Sequence, residues 1–108
     1  MKITIEQQRL SSAEAEIRID VEVDGQHRPF EVRGHLSGPR STHSETIQLA
    51  YPLKQVVMGD GKYRGRVLIP EPNLWKPETP FTYEGVIELW HDGKKIESKP
   101  IVVCFKAS

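Results

Sequence analysis

The chain has 108 residues, 28% charged and 37% hydrophobic, with no net formal charge. That length fits one domain with a self-sufficient core burying roughly 65% of its unfolded surface, and the composition excludes intrinsic disorder. Residues 1–54 hold seven Lys/Arg and eight Asp/Glu and residues 55–108 hold eight and seven, so neither half carries the uncompensated basic field that nucleic acid or an anionic membrane requires.

In chain order, "MKITIEQQRL" contains no apolar run resembling a signal peptide, and no later stretch reaches transmembrane length. It reads as a short strand around Lys2–Glu6, then a turn at Ser11-Ser12. In "AEIRIDVEVDG", Ile17, Ile19, Val21 and Val23 alternate with Arg18, Asp20 and Glu22, which predicts a strand with one dry face. "RPFEVRGHL" repeats the device with Phe30, Val32 and Leu36, and Gly34 on the same parity. "ETIQLAYPL" places Ile47, Leu49, Tyr51 and Leu53 on one face, and "KYRGRVLIP" and "FTYEGVIELW" supply two more strands. "KKIESKPIVVCFKAS" reads as a last strand interrupted near Pro100. Turns are expected at Asp24-Gly25, Ser37-Gly38-Pro39, Gly59-Asp60-Gly61 and Asp92-Gly93.

About seven strands separated by turns, each strand half apolar, predict an all-β fold: an immunoglobulin-like antiparallel β-sandwich occupying residues 1–108 as a single domain. Cys104 is the only cysteine, so no intrachain disulfide staples it. A reducing, cytoplasmic compartment is the expectation, unless the domain is excised from a longer secreted chain.

The stretch Val67 to Leu89 holds four of the eight prolines and Trp75. Pro70, Pro72, Pro77 and Pro80 cannot sit inside a ladder, but they stiffen an extended connection. A stiff span suits a crossover between sheets, with Leu74 and Trp75 turned inward to plug one end. Truncating a plugging tryptophan would cost ~3–5 kcal/mol of a total of ~5–15 kcal/mol.

"PNLWKPETPFTY" resembles the signature of the sandwich domain of family 2 glycoside hydrolases, which runs Pro-x-Leu-Trp-x-Pro-x-x-Pro-x-Leu-Tyr. Pro72, Leu74, Trp75, Pro77, Pro80 and Tyr83 match, and Thr82 stands where the family usually has leucine. "VIELWHDGKKIES" resembles the following strand, turn and strand, and "VCFKAS" loosely resembles the Phe-Gly-Phe-Arg exit, with Phe105 and Lys106 in the matching places. The resemblance implies an accessory domain beside a catalytic (β/α)₈ barrel that supplies the paired carboxylates and would follow Ser108.

Candidate chemistry is sparse. Glycoside hydrolysis needs two carboxylates about 5–10 Å apart across a cleft; Glu84 and Glu88 share a wet strand face, while Glu71 and Glu78 lie in the stiff loop, so solvated acids are expected. His27, His35 and His43 recur every eight residues, a spacing unlike a metal site, and no metal or cofactor is expected. Cys104 with His35 lacks any activating context and reads as a buried packing thiol. Lys62, Arg64 and Arg66 line one strand face opposite Tyr63, an ordinary wet face or the guard of an edge strand. Trp90-His91-Asp92 at a hairpin is the best lead. With Leu89 inward Trp90 faces out, where it can stack on a sugar or anchor a protein; a register slip at Gly85 would bury it.

The reading that results is a non-catalytic sandwich with a spacer or protein-interaction role toward a protein partner or adjacent domain, including self-association along an edge strand. The alternative is a carbohydrate-binding module using Trp90 and Tyr63 as platforms.

Overall fold

The computed structural model describes residues 1–23, 30–41, 47–59, 61–78 and 80–106, with the side chains of 55–59 outside the description. The expected turn at Asp24-Gly25, together with Asp60, His27 and His43, lies outside the described residues. The described elements are eight strands: β1 (Lys2–Leu10), β2 (Glu14–Glu22), β3 (Glu31–Arg40), β4 (Leu49–Pro52), β5 (Lys54–Gly59), β6 (Lys62–Pro70), β7 (Thr82–His91) and β8 (Lys94–Val103). They form two four-stranded antiparallel sheets, β1-β2-β6-β5 and β4-β3-β7-β8. This is the immunoglobulin partition with β4 added beside β3. The strand additional to those read from the sequence is β5.

Alternation builds the core. Ile17, Ile19 and Val21 of β2 and Tyr63, Val67 and Ile69 of β6 face Val32 and Leu36 of β3 and Tyr83, Ile87 and Leu89 of β7, all buried. Most outward positions of β2 and β6 carry charge: Asp20 stands opposite Arg64, their side chains meeting at 2.9 Å, and Glu22 opposite Lys62, while Arg18 faces Arg66 and each of these two turns to a carboxylate elsewhere on the face. Arg66 reaches Glu16 at 2.9 Å, and Arg18 bonds Glu6 across β1. Such exposed pairs contribute little each, up to about 1 kcal/mol. Their main effect is to keep that face wet.

Several local expectations change. The first strand runs to Leu10, beyond Glu6, and the turn follows at Ser11, whose hydroxyl accepts from the amides of Ala13 and Glu14. Ser37-Gly38-Pro39 is not a turn but part of β3, with a cis Gly38-Pro39 peptide and a register shift between Ser37 and Arg40. Gly38 is there for space: a Cβ would lie 2.6 Å from the Tyr83 ring. Pro100 does not interrupt β8, because β8 is an edge strand that needs no further donor on its free side. Ile47 and Leu49 have the inward parity read from the sequence, yet they are 87% and 57% exposed. Parity sets which side a residue takes; only Tyr51 and Leu53, further along, meet the core. Asp92-Gly93 forms the expected hairpin turn, with φ of 50° and 74° matching the left-handed pair a tight turn demands.

The proline segment is a crossover, joining β6 of one sheet to β7 of the other. It is held at three points. The Glu71 amide donates to Ala13 O at 2.9 Å, the Asn73 amide to the Tyr83 hydroxyl at 3.0 Å, and the Trp75 amide to Phe105 O at 2.7 Å. Pro72 is buried and Leu74 packs on the core. Trp75 is only half-buried: its ring lies beneath the Lys106 ammonium, 4.9 Å from the centroid, beside a parallel bridge between the two residues. The expectation that its indole plugs the sandwich is therefore corrected. The sealed aromatics at this end are Tyr83 and Phe105, edge to face at 5.4 Å, because Phe105 takes the inward parity after β8 while the tryptophan lies across the outside of the joint.

Three outcomes follow from this packing. Gly85→Ala should destabilise by about 1–3 kcal/mol or more, since its Cβ would lie 1.8 Å from His35 O, a backbone atom. Gly93→Ala, with nothing within 4 Å of its Cβ, should cost only the ~1 kcal/mol of a left-handed alanine; urea midpoints compare the two. Phe105→Ala should cost about 3–5 kcal/mol and Trp75→Ala clearly less, read from the same transitions. Burial pushes the Tyr83 phenol above its ordinary 10.0, opposed by the Asn73 amide and assisted by Tyr51. The unfolded chain then releases that proton first, so this stabilisation is complete below about pH 10 and falls as pH rises beyond it. Tyr83→Phe should flatten the alkaline decline measured between about pH 8 and pH 11 while lowering stability at pH 8 by roughly 1 kcal/mol.

Candidate functional site

The residues singled out at the second hairpin separate. Leu89 is buried, so Trp90 points away from the core on the outer face of β4-β3-β7-β8, in the register read from the sequence for an outward indole. His91 has the opposite parity. It turns toward the sandwich and packs on buried Phe30, with centroids 5.5 Å apart, its Nε2 lying 3.3 Å from Asp92 Oδ2. Asp92 is exposed at the turn. The structure therefore keeps Trp90 as a surface group and assigns His91 to the closure of the second end.

Trp90 is half-buried because its neighbours hold it. Cross-strand pairing puts Glu31 opposite Trp90, and Arg33, two residues along β3, lies over the indole with Cζ 4.3 Å from its centroid. Arg33 is itself fixed by two hydrogen bonds to Glu31, both 3.0 Å, and this guanidinium holds the Glu31 carboxyl below the usual carboxylate range. On the other side the indole Nε1 donates to Glu88 Oε1 at 3.3 Å, and Glu88 Oε2 lies 3.6 Å from Lys95 Nζ. The result is a continuous Glu31–Arg33–Trp90–Glu88–Lys95 array.

Chemically this array sets an ordered indole among paired charges on the outer sheet face. One indole face is occupied by the guanidinium, so a stacking ligand has the opposite face alone. Both carboxylates are engaged by cations. Glu31 and Arg33 were not singled out from the sequence. Their signal was the Glu-x-Arg spacing, which sets both on one strand face, but the partner strand's register was needed to bring them to Trp90.

The other candidates sit as follows. Glu84 and Glu88 share the outer face of β7, as read from the sequence; Arg40 binds Glu84, and the indole and Lys95 bind Glu88. Glu71 and Glu78 are exposed in the crossover. Among the described residues no group of three or more His, Cys, Asp or Glu could hold a metal ion, and His35 is exposed on the polar parity of β3. Cys104 is half-buried rather than sealed, since it shares outward parity with Val102 while Phe105 turns in. Lys62, Arg64 and Arg66 line the wet face of β6 opposite buried Tyr63. That strand is interior to its sheet, so they guard no edge, and a buried Tyr63 offers no platform to a sugar.

Solved structures share this fold, two of them as follows. One is the Bifidobacterium dentium β-glucuronidase complexed with coumarin-3-O-glucuronide, with a TM-score of 0.63 and 21% identity, covering 95% of this chain and 17% of that one. The other is a "putative beta-galactosidase" of Bacteroides fragilis, with a TM-score of 0.59 and 22% identity, covering 94% of this chain and 16% of that one. This chain thus corresponds to about a sixth of the length of those structures. No curated protein matches it. The model of the glycosyl hydrolases family 2 matches residues 1–105, and the chain belongs to that family.

Proposed function

We propose that this sandwich is a non-catalytic accessory module of family 2, acting through surface contact with a neighbouring domain or protein. The observation that carries the reading is one of proportion. Nearly the whole chain superposes on a unit that makes up 17% of a β-glucuronidase, and the carboxylates Glu84 and Glu88 are tied into surface networks. Glycoside cleavage needs a raised-pKa acid and a second carboxylate facing each other across a substrate. Acids bound by Arg40 and Lys95 on a wet sheet suit solvation instead.

The outward indole favours a second reading, carbohydrate binding, because Trp90 lies half-buried on the outer sheet face beside the polar groups of Glu88 and Lys95. The same array gives the module an anchor for a protein surface, a role in which Arg and Trp are favoured together.

Two measurements test the first reading. Incubation of the chain with aryl β-glucuronide and aryl β-galactoside should release no chromophore above the buffer rate. Titration with oligosaccharides to about 10 mM should leave tryptophan emission unchanged, below the affinity of a functional sugar site. Turnover abolished by Glu84→Gln or Glu88→Gln would replace the reading with an enzymatic one. A saturable emission shift lost in Trp90→Ala would establish the carbohydrate alternative.

A further inference from the structure

The two sheets have four edge strands, and they are not protected alike. β1 has an irregular register between Gln7 and Arg9, and β5 between Lys54 and Val57. β8 carries Lys99 on an inward-facing position and Pro100 beside it, and its pairing with β7 slips between Leu89 and Trp90. Lys99 also binds Met1 O, while the Met1 amino group lies 3.5 Å from Glu97, so β1 and β8 close one side of the sandwich together. Bulges, lysines and prolines of this kind are the usual means of blocking strand addition.

β4 is different. Leu49–Pro52 contains no charged residue and its register with β3 is regular; two of the four exposed large apolar side chains among the described residues, Ile47 and Leu49, precede and begin it, while the other two, Ile96 and Val102, lie on the lysine- and proline-bearing β8. The backbone valence of its free side can be read from the ladder. Leu53 N donates to Gly34 O at 2.8 Å, and the β3–β4 register then directs the peptide groups of Leu49 and Tyr51 to β3 as well. Ala50 and Pro52 therefore face outward. Pro52 has no donor to offer there, whereas Ala50 and, by the same alternation, Gln48 present both N–H and C=O.

We propose that β4 is a self-pairing edge, through which two copies of this chain associate antiparallel about a two-fold axis at Leu49. This rests on the interaction-module reading and names its partner as a second copy. In that register Gln48 of one copy pairs with Ala50 of the other, making four backbone hydrogen bonds and leaving Pro52 outside the ladder. A two-fold centred on Ala50 would instead set Gln48 against Pro52 and lose a donor. Leu49 meets its own symmetry mate in a non-hydrogen-bonded pair, where side chains approach most closely. Ile47 falls opposite Tyr51, so the exposed apolar residues cover one another. The zero net charge of the chain adds no long-range repulsion between copies. Arg40 supports the arrangement by holding the Gln48 side chain at 2.9 Å and binding Glu84 of β7, which fixes the start of β4 against the sheet.

So short an edge buries less than the ~1,200 Å² of a standard stable interface, so the dimer should be weak and concentration-dependent. Sedimentation velocity from about 5 μM to 1 mM should show a monomer–dimer equilibrium with Kd of roughly 10–500 μM. Leu49→Lys and Ala50→Pro should each weaken it at least tenfold without moving the urea midpoint by more than a few tenths of a molar unit; the proline removes only an outward amide. In a Cys104→Ser background, Leu49→Cys should form a disulfide-linked dimer on mild oxidation. A chain monomeric to 1 mM, a dimer indifferent to both Leu49→Lys and Ala50→Pro, or one that Leu49→Cys does not cross-link would each overturn the proposal. None of these results touches the glycoside and oligosaccharide measurements, so the accessory reading stands or falls separately.

Discussion

The joint between the crossover and the two buried aromatics is the contact on which the rest of the sandwich depends. A segment bearing Pro72, Pro77 and Pro80 contributes few donors, and the amides it does have at this joint are spent on Tyr83 and Phe105. Those two rings are sealed against each other where the sheets would otherwise gape. One side chain therefore serves two purposes: the Tyr83 ring fills the core and its hydroxyl anchors the connection that spans it. The same ring needs Gly38 opposite, so a glycine that resembles a turn signal is a clearance cut for an aromatic.

The outer faces of the two sheets differ in character. The face of β1-β2-β6-β5 is covered by matched charge, through Arg64–Asp20, Arg66–Glu16 and Arg18–Glu6, and is built to stay in water. The opposite sheet holds the Trp90 array and, at its edge, the short uncharged strand β4. The chain belongs to family 2 and spans about a sixth of the length of the two structures described above that share its fold.

Much of the fold was legible because alternation is a local signal. Ile17, Ile19 and Val21, or Val32 and Leu36, announce their buried face without reference to any partner. The Pro72–Tyr83 motif likewise marked the crossover. Long-range geometry was less readable. Alternation gave Ile47 and Leu49 the inward side but could not tell that little covers them there, and it could not tell which aromatic would fill the end. Trp75 is the larger ring, yet the inward turn of Phe105 after β8 takes the space first. At the candidate surface the sequence placed Trp90 on the outside if Leu89 turned in. It could not supply Arg33, which reaches the indole only through the β3–β7 register. His91, adjacent in sequence, belongs to the packing because adjacent strand residues face opposite ways.

Native-state hydrogen exchange at the amides of Asn73 and Trp75 tests the central joint most directly. If the crossover is seated on Tyr83 and Phe105 as an integral part of the core, both amides should exchange only through global unfolding, with the same opening free energy as Ile87 in β7. Exchange at these two positions at the rate of an unprotected loop, while Ile87 stays fully protected, would show that the span is merely draped over a sandwich that closes without it.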